Sequence, residues 1–194
     1  MAGTGATNVI GTWTEPAVTC AAGENSWSAP WVGIDGDASN TVEQIGTDSD
    51  CQNGTPVYYA WWEMYPKNSV LIPMTVRAGD AMTGQVSYQA PGRFVLTLTD
   101  TSTHATFSTT QTSKKARRTS VEWIMEGPSS GLLSDFGSVP FGGASATING
   151  QTGGVGSFAS ADPITMVSQQ GITRAAPSNV SGGGSSFGVT WQHG

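Results

Sequence analysis

The stretch Arg93-Phe94-Val95-Leu96-Thr97-Leu98-Thr99-Asp100 decides the fold class. Phe94, Leu96 and Leu98 recur with period two and share one face, while Val95, Thr97 and Thr99 take the other. That is the pattern of a strand dry on one side and wet on the other. The same alternation runs through 29–36, 41–48, 56–66, 82–89, 104–111, 119–126, 164–168 and 186–192. Between these runs lie Gly36-Asp37, Asn53-Gly54, Ala90-Pro91-Gly92, Gly127-Pro128 and Gly142-Gly143, all turn chemistry. No window carries a helical stripe. The reading is all-β: an antiparallel β-sandwich of two packed, curved sheets, jelly-roll or concanavalin-like. The Gly/Ser-rich stretch 142–157 resembles a linker, but strand-like pieces follow it (Ile164, Met166, Phe187, Val189, Trp191), so 1–194 reads as one domain.

Composition narrows the function. The chain has 8 Lys+Arg against 14 Asp+Glu, a net charge of −6, and only 11% charged residues, against the roughly one quarter usual in soluble domains. The few scattered cations give no electrostatic footprint for nucleic acid, and no apolar run approaches the roughly 20 residues of a membrane helix. Gly, with 22 Ser and 24 Thr, supplies 72 of the 194 positions, yet seven Trp, six Phe and four Tyr argue against disorder. Few carboxylates can be lost to protonation, so the composition tolerates acid. Met1-Ala2-Gly3 has neither the charged start nor the apolar core of a signal peptide, the look of a mature form. Cys20 and Cys51 are the two cysteines, in no metal-type or redox-type pair; a disulfide between them is the preferred reading over two free thiols. It would close a loop of about 30 residues, worth roughly 3–4 kcal/mol in the chain-entropy model.

Projecting side chains onto faces gathers the polar chemistry. Alternation puts Tyr59, Trp61, Glu63 and Tyr65 opposite Tyr58, Ala60, Trp62 and Met64. It groups Trp31, Gly33 and Asp35; Val42, Gln44, Gly46 and Asp48; and Glu122, Ile124 and Glu126. Four strands thus each offer a face mixing aromatics with carboxylates or an amide. Glu122 and Glu126 lie four residues apart on one strand, about 13 Å at ~3.3 Å per residue, too far to act on one atom. Either needs a partner on a neighbouring strand, such as Gln44, Asp35 or Glu63.

Other motifs carry less. Gly127-Pro128-Ser129-Ser130-Gly131 fits the nucleophile elbow G-x-S-x-G, but a Pro beside the Ser and no helix after it give the wrong context. His104 and His193 are the sole histidines, with no zinc-type spacing, so no metal or other cofactor is expected. Lys114-Lys115-Ala116-Arg117-Arg118 reads as a solvated loop.

Four blocks taken together carry a resemblance: Pro30-Trp31-Val32-Gly33-Ile34-Asp35-Gly36, Val42-Glu43-Gln44-Ile45-Gly46-Thr47, Tyr59-Ala60-Trp61-Trp62-Glu63-Met64-Tyr65-Pro66 and Val121-Glu122-Trp123-Ile124-Met125-Glu126. In order and spacing the chain resembles the glutamic peptidases, or eqolisins: pepstatin-insensitive acid endopeptidases on a β-sandwich. The resemblance implies a catalytic dyad of Gln44 and Glu126, with Trp31, Asp35, Asp48, Tyr59, Trp61 and Glu63 lining or supporting the site. Two positions depart from fungal members, which carry Asp where this chain has Tyr59 and Trp where it has Met64. Glu126 would take a proton from water and pass it to the leaving amine; Gln44 would position the water and donate to the oxyanion. The implied setting is secreted and acidic, with extended polypeptides as substrates, a monomeric enzyme, and no nucleic acid or membrane partner. Two other readings keep the sandwich: a jelly-roll glycosidase pairing Glu63 with Glu126, and a non-catalytic carbohydrate-binding sandwich using Trp31 and Trp61 as a platform.

Overall fold

Sixteen strands form among the residues that the computed structural model describes, 5–128, 131–181 and 183–194. They are β1 (Ala6–Thr14), β2 (Ser26–Trp27), β3 (Ala29–Asp35), β4 (Val42–Gln52), β5 (Thr55–Tyr65), β6 (Val70–Ile72), β7 (Ala81–Gln89), β8 (Arg93–Asp100), β9 (Ala105–Thr112), β10 (Val121–Glu126), β11 (Leu132–Leu133), β12 (Ser138–Ile148), β13 (Gln151–Gly154), β14 (Met166–Val167), β15 (Thr173–Pro177) and β16 (Phe187–Trp191). One turn of 3-10 helix, Val155–Ser157, is the sole helical element among these residues. A nine-stranded sheet runs β14-β15-β16-β12-β1-β7-β8-β9, with β13 also on β12. A seven-stranded sheet runs β10-β3-β4-β2-β11, with β5 on the other flank of β4 and β6 on β5. All pairings are antiparallel except β2 with β11. The expected all-β sandwich of two packed sheets is what forms.

The core lies between the sheets and follows the alternation. Phe94, Leu96 and Leu98 are fully buried from the nine-stranded side, and Val32, Ile34, Ile45 and Ala60 from the other. Trp123 of β10 crosses the interface and donates its indole N–H to the Ile10 carbonyl at 2.8 Å. A Cβ on Gly11 would come within 2.6 Å of the Trp123 ring, so the bare backbone there is what lets the sheets approach.

Two long strands were hidden in the sequence. β1 and β12 sit side by side at the middle of the larger sheet, and their register shifts between Ala6 and Asn8 and between Ile10 and Thr12. Each shift breaks period-two alternation. Gly142-Gly143, expected as a turn, instead lies inside β12 at the second shift, Gly143 taking φ +55°. Val139, Phe141, Ala144, Ala146 and Ile148 are buried, in phase before and after the extra residues. The basic run is also more structural than a solvated loop: Arg118 stacks 3.9 Å over the Tyr88 ring, and Arg117 donates to the Ala38 carbonyl at 3.1 Å. Ser129 and Ser130 of the elbow-like motif fall outside the described residues.

The Cys20–Cys51 disulfide is formed, with 5.6 Å between its Cα atoms. It fastens the 15–25 segment to the far end of β4.

Two glutamates are buried in the core layer. Glu15, 1% exposed, sits beneath β4 and accepts from the hydroxyls of Thr47 and Ser49 and from the Trp13 indole. Burial pushes its pKa up to about 7. Glu43 is fully buried beside Asp35; burial, then repulsion from Asp35, pushes it up to about 8. In the unfolded chain both titrate as ordinary glutamates. The folded protein therefore holds protons that the unfolded chain has released, and stability falls as pH rises through that window. For Glu15 alone the loss is on the order of 3 kcal/mol. Thermal unfolding should shift down by on the order of 10 °C between pH 5 and pH 8, and Glu15→Gln should remove a substantial part of that fall. A melting temperature flat across this range would show that these acids are not held neutral.

Candidate active site

Antiparallel register turns the outer face of the seven-stranded sheet into a grid. Glu122, Gly33, Gln44 and Glu63 form one row across β10, β3, β4 and β5; Ile124, Trp31, Gly46 and Trp61 form the next. A third row joins Glu126 to Ala29 and Asp48 to Tyr59. The register of β3 on β4 carries on to that level, where the Ser49 N–H donates to the Ser28 carbonyl at 2.7 Å. Rows are one strand spacing apart across, about 4.8 Å, and two residues apart along, about 7 Å. Over this grid lies an open groove of about 590 Å³, lined by Trp31, Gln44, Asp48, Tyr59, Trp61, Glu63 and Glu126, with Glu122 and Tyr65 toward one end and Trp27, Ala29 and Pro128 toward the other.

The floor depends on missing side chains. A Cβ on Gly46 would lie 2.4 Å from the Pro30 carbonyl and 2.5 Å from the Trp31 Cβ. Gly46 is therefore the gap against which the backbone and Cβ of Trp31 pack, and a Cβ on Gly33 would lie 3.0 Å from the edge of the Trp31 ring. Trp31 then donates its indole N–H to Glu126 Oε2 at 2.8 Å. In the same row Trp61 donates to Asp48 Oδ1 at 2.7 Å. Two rings of the central row thus each hold an acid of the next.

Gln44 is nearly buried and donates from Nε2 to Glu63 Oε2. That bond fixes which way the amide points and leaves its Oε1 buried with no partner among the described residues. A buried polar atom without a partner costs about 1–3 kcal/mol, and a site that binds a ligand is where such a cost is kept.

Desolvation by the groove walls raises the pKa of every acid here above its ordinary value. Asp48 is pushed up to about 7, partly offset by the Tyr59 and Trp61 donors. Glu126 is raised by desolvation and held back by the Trp31 bond. Glu63 is raised by desolvation, offset by Gln44, with repulsion from Glu126 adding to it. Glu122 also rises, less than burial alone would give, because the Ser120 hydroxyl and the Asp37 N–H donate to it at 3.0 and 2.7 Å. In acid the groove is consequently close to neutral. Among the described residues no group of three or more His, Cys, Asp or Glu is arranged to hold a metal ion.

The structure brings Gln44, Glu126, Trp31, Asp48, Tyr59, Trp61 and Glu63 together in the groove. Asp35 is elsewhere. Alternation assigns it to the groove face, but its φ of 68° turns the chain, and its fully buried carboxylate accepts from the N–H groups of Arg117, Arg118 and Thr119 at 2.8, 2.9 and 2.8 Å. Asp35 anchors the segment that leads into β10. Asp50 was missed because β4 runs to Gln52 rather than ending at 48; it continues the 44-46-48 alternation and accepts the Tyr59 hydroxyl at 3.0 Å. Glu15 had no sequence signal, being a lone acid before a proline.

Comparison with known proteins gives one consistent result. The model of the Peptidase A4 family matches residues 1–191. Aspergillopepsin-2 of Aspergillus niger is 32% identical over 183 residues, covering 79% of this chain; the chain spans about 64% of that relative's length. The crystal structure of aspergilloglutamic peptidase from Aspergillus niger superposes with a TM-score of 0.76 at 30% identity, over 86% of this chain and 99% of that one. Scytalido-glutamic peptidase, solved with a peptide-based transition-state analogue, shares the fold with a TM-score of 0.83 at 23% identity, over 99% and 95% of the two chains.

The Trp31 bond to Glu126 is open to direct measurement. Trp31→Phe keeps an aromatic ring at this position and removes the indole N–H. The Glu126 carboxyl should then titrate at higher pH than in the unsubstituted protein, followed by NMR of the labelled side chain. An unmoved titration would mean that the indole does not stabilise the carboxylate.

Proposed function

Since the chain belongs to the Peptidase A4 family, we propose that it is an acid endopeptidase in which Gln44 and Glu126 hydrolyse peptide bonds. It acts as a secreted monomer on extended polypeptides, one domain spanning the chain. The observation that carries this reading is the orientation of Gln44: Nε2 is tied to Glu63, while Oε1 is buried without a donor in the groove that also holds Glu126.

Peptide hydrolysis needs an activated water, a donor for the tetrahedral oxyanion, and a proton for the leaving nitrogen. Gln44 Oε1 accepts a hydrogen bond from the water and helps to aim it. Glu126, as carboxylate, takes the second proton of that water as its oxygen attacks the carbonyl carbon. The C–O bond forms and the carbonyl electrons move onto oxygen. One Nε2 hydrogen of Gln44 is spent on Glu63; the other donates to the oxyanion. Glu126 then hands its proton to the nitrogen, the C–N bond breaks, and the acid and amine leave. An amide does not titrate, so the Gln44 contribution persists at any pH.

The acid operating range follows from the neighbours. With Asp48 neutral below about 7, Glu126 carries its charge without a like charge beside it. Raised above its ordinary value, it is a better base than a free glutamate once ionised and a ready acid afterwards. As pH rises, Asp48 and Glu63 ionise, and the groove becomes a cluster of repelling carboxylates. The disulfide fits an oxidising, extracellular compartment. A glycosidase using Glu63 is the weaker reading, since Glu63 is committed to the Gln44 amide.

Gln44→Ala should lower kcat for a denatured protein substrate by about 10²–10³-fold or more, and Glu126→Gln by about 10²–10⁴-fold, each with the native circular dichroism spectrum. The assay runs from pH 2 to 7, with and without pepstatin. Near-unchanged acid proteolysis in either variant would refute the dyad.

A further inference from the structure

The basic run that the hydrolytic chemistry leaves unused becomes part of a larger surface once the strands pair. Arg93 opens β8 and lies opposite Thr112 of β9, two residues before Lys114. Arg93, Lys114, Lys115, Arg117 and Arg118, five of the eight Lys and Arg residues of the chain, therefore gather where the chain passes from β9 to β10. The backbone that carries them is fixed along its length. The Ser113 N–H donates to the Gly92 carbonyl at 3.0 Å, and the Ala116 N–H to the Ser113 hydroxyl at 3.2 Å. The N–H groups of Arg117, Arg118 and Thr119 all end on Asp35.

That last arrangement decides the charge of the surface. Asp35 is fully buried and spends its carboxylate on backbone N–H and hydroxyl groups, not on the cationic heads. Glu43 beside it is buried too, Asp37 is exposed at the turn, and Glu122 faces the groove. Arg117 donates to the Ala38 carbonyl at 3.1 Å, and Arg118 lies over the Tyr88 ring and donates to the Ala6 carbonyl. Arg93, Lys114 and Lys115 are exposed, and their side chains make no hydrogen bond or ion pair among the described residues. A held backbone with free cationic heads is preorganised for an anion.

The surface adjoins the groove. Arg117 bonds at Ala38, next to Asp37, whose N–H donates to Glu122 at 2.7 Å, and Gly36 and Glu122 both line the groove end. A polypeptide that continues past Glu122 runs onto the cations. Glu122 lies about 13 Å from Glu126 at ~3.3 Å per residue, so the contact falls about four or more residues from the cut bond. In acid the Asp and Glu side chains of a substrate lose their charge at about pH 4. A phosphate monoester, whose second ionisation lies at about pH 6, still keeps one negative charge there.

We infer that Arg93, Lys114, Lys115 and Arg117 form a second contact surface for the substrate, which holds a phosphorylated segment outside the groove. Such a surface presupposes the peptidase reading above and names a substrate class for it, phosphorylated polypeptides. Exposed ion contacts are screened by salt, and these lie far from the reacting atoms, so the gain is in binding and not in the chemical step.

The test uses one well-cleaved peptide, extended on either side, with Ser, Glu or phosphoserine placed about four to eight residues from the cut bond and assayed at about pH 3 in low salt. Phosphoserine should raise kcat/KM over Ser by about 5–10-fold on one side, through KM with kcat unchanged, while Glu behaves as Ser. The gain should vanish in about 0.5 M salt. Lys114→Gln combined with Lys115→Gln should bring the ratio close to one, whereas Arg77→Gln, which removes an exposed cation elsewhere, should leave it as it is. No phosphate preference on either side overturns the proposal, as does a ratio unchanged in the double variant or lowered as much by Arg77→Gln. So does retention of the enzyme on a sulfated polysaccharide with a phosphopeptide ratio of one, which would make the surface a polysaccharide anchor. If neither the peptides nor a protein substrate is cut, the peptidase reading itself falls instead.

Discussion

The contact on which the site depends is the Trp31 indole on Glu126, made from a strand that packs tightly against the bare backbone of Gly46. Because β4 has no side chain there, the backbone and Cβ of Trp31 sit close against Gly46, the ring edge lies by Gly33 of its own strand, and the indole N–H reaches Glu126 on β10, across the other flank of β3 and one row along. That bond holds the carboxylate in place and counters the desolvation that the groove walls impose on it. Everything else in the groove is set by the same register. Once Gly33 pairs with Gln44 and Gln44 with Glu63, the amide has one orientation, and its oxygen is left without a partner among the described residues.

Acid is built into this arrangement at two depths. In the groove, four carboxyls share one open cleft, which is tolerable only while most of them are protonated. Behind it, Glu15 and Glu43 lie on the inner side of β1's continuation and of β4, where burial keeps them neutral. The Thr47 and Ser49 hydroxyls that bind Glu15 alternate along β4 with Asp48, which faces the groove. One strand therefore carries acids on both of its faces, and the condition that keeps the site uncharged also keeps the core intact. The low overall charge of the chain belongs to this pattern: six of the fourteen acids lie between 35 and 63, but they divide between the groove (Asp48, Glu63) and buried or anchoring roles (Asp35, Glu43, Asp50), with Asp37 at the turn.

Much of the sandwich was legible because most strands keep a strict period of two. β8 was read to the residue, and β3, β4, β5, β7, β9, β10 and β16 to within a few residues. The readings failed where backbone irregularity broke that period. β1 and β12 pair with shifted register, and Pro140 with Gly142-Gly143 disguises an eleven-residue strand as a loop. Asp35 failed for the same kind of reason: alternation is a rule for extended backbone, and a φ of 68° ends it one residue early. The Asp50 contact was lost at a strand boundary, the least secure part of any pattern.

The sequence by itself determined the two-faced strands, the turns between them, and which polar and aromatic residues share a face, because the direction of a side chain along a strand follows from position parity alone. It also carried the family, through four short blocks in order. Only the tertiary structure decided which faces meet. Pairing partners and register are long-range choices made by the packing of two sheets, and parity says nothing about them. The bond from Trp31 to Glu126 joins residues 95 apart, that from Gln44 to Glu63 residues 19 apart, and the cluster on Glu15 residues up to 34 apart. Whether each acid is charged depends on those neighbours and on the water that they exclude, which is a property of the folded groove and not of the chain.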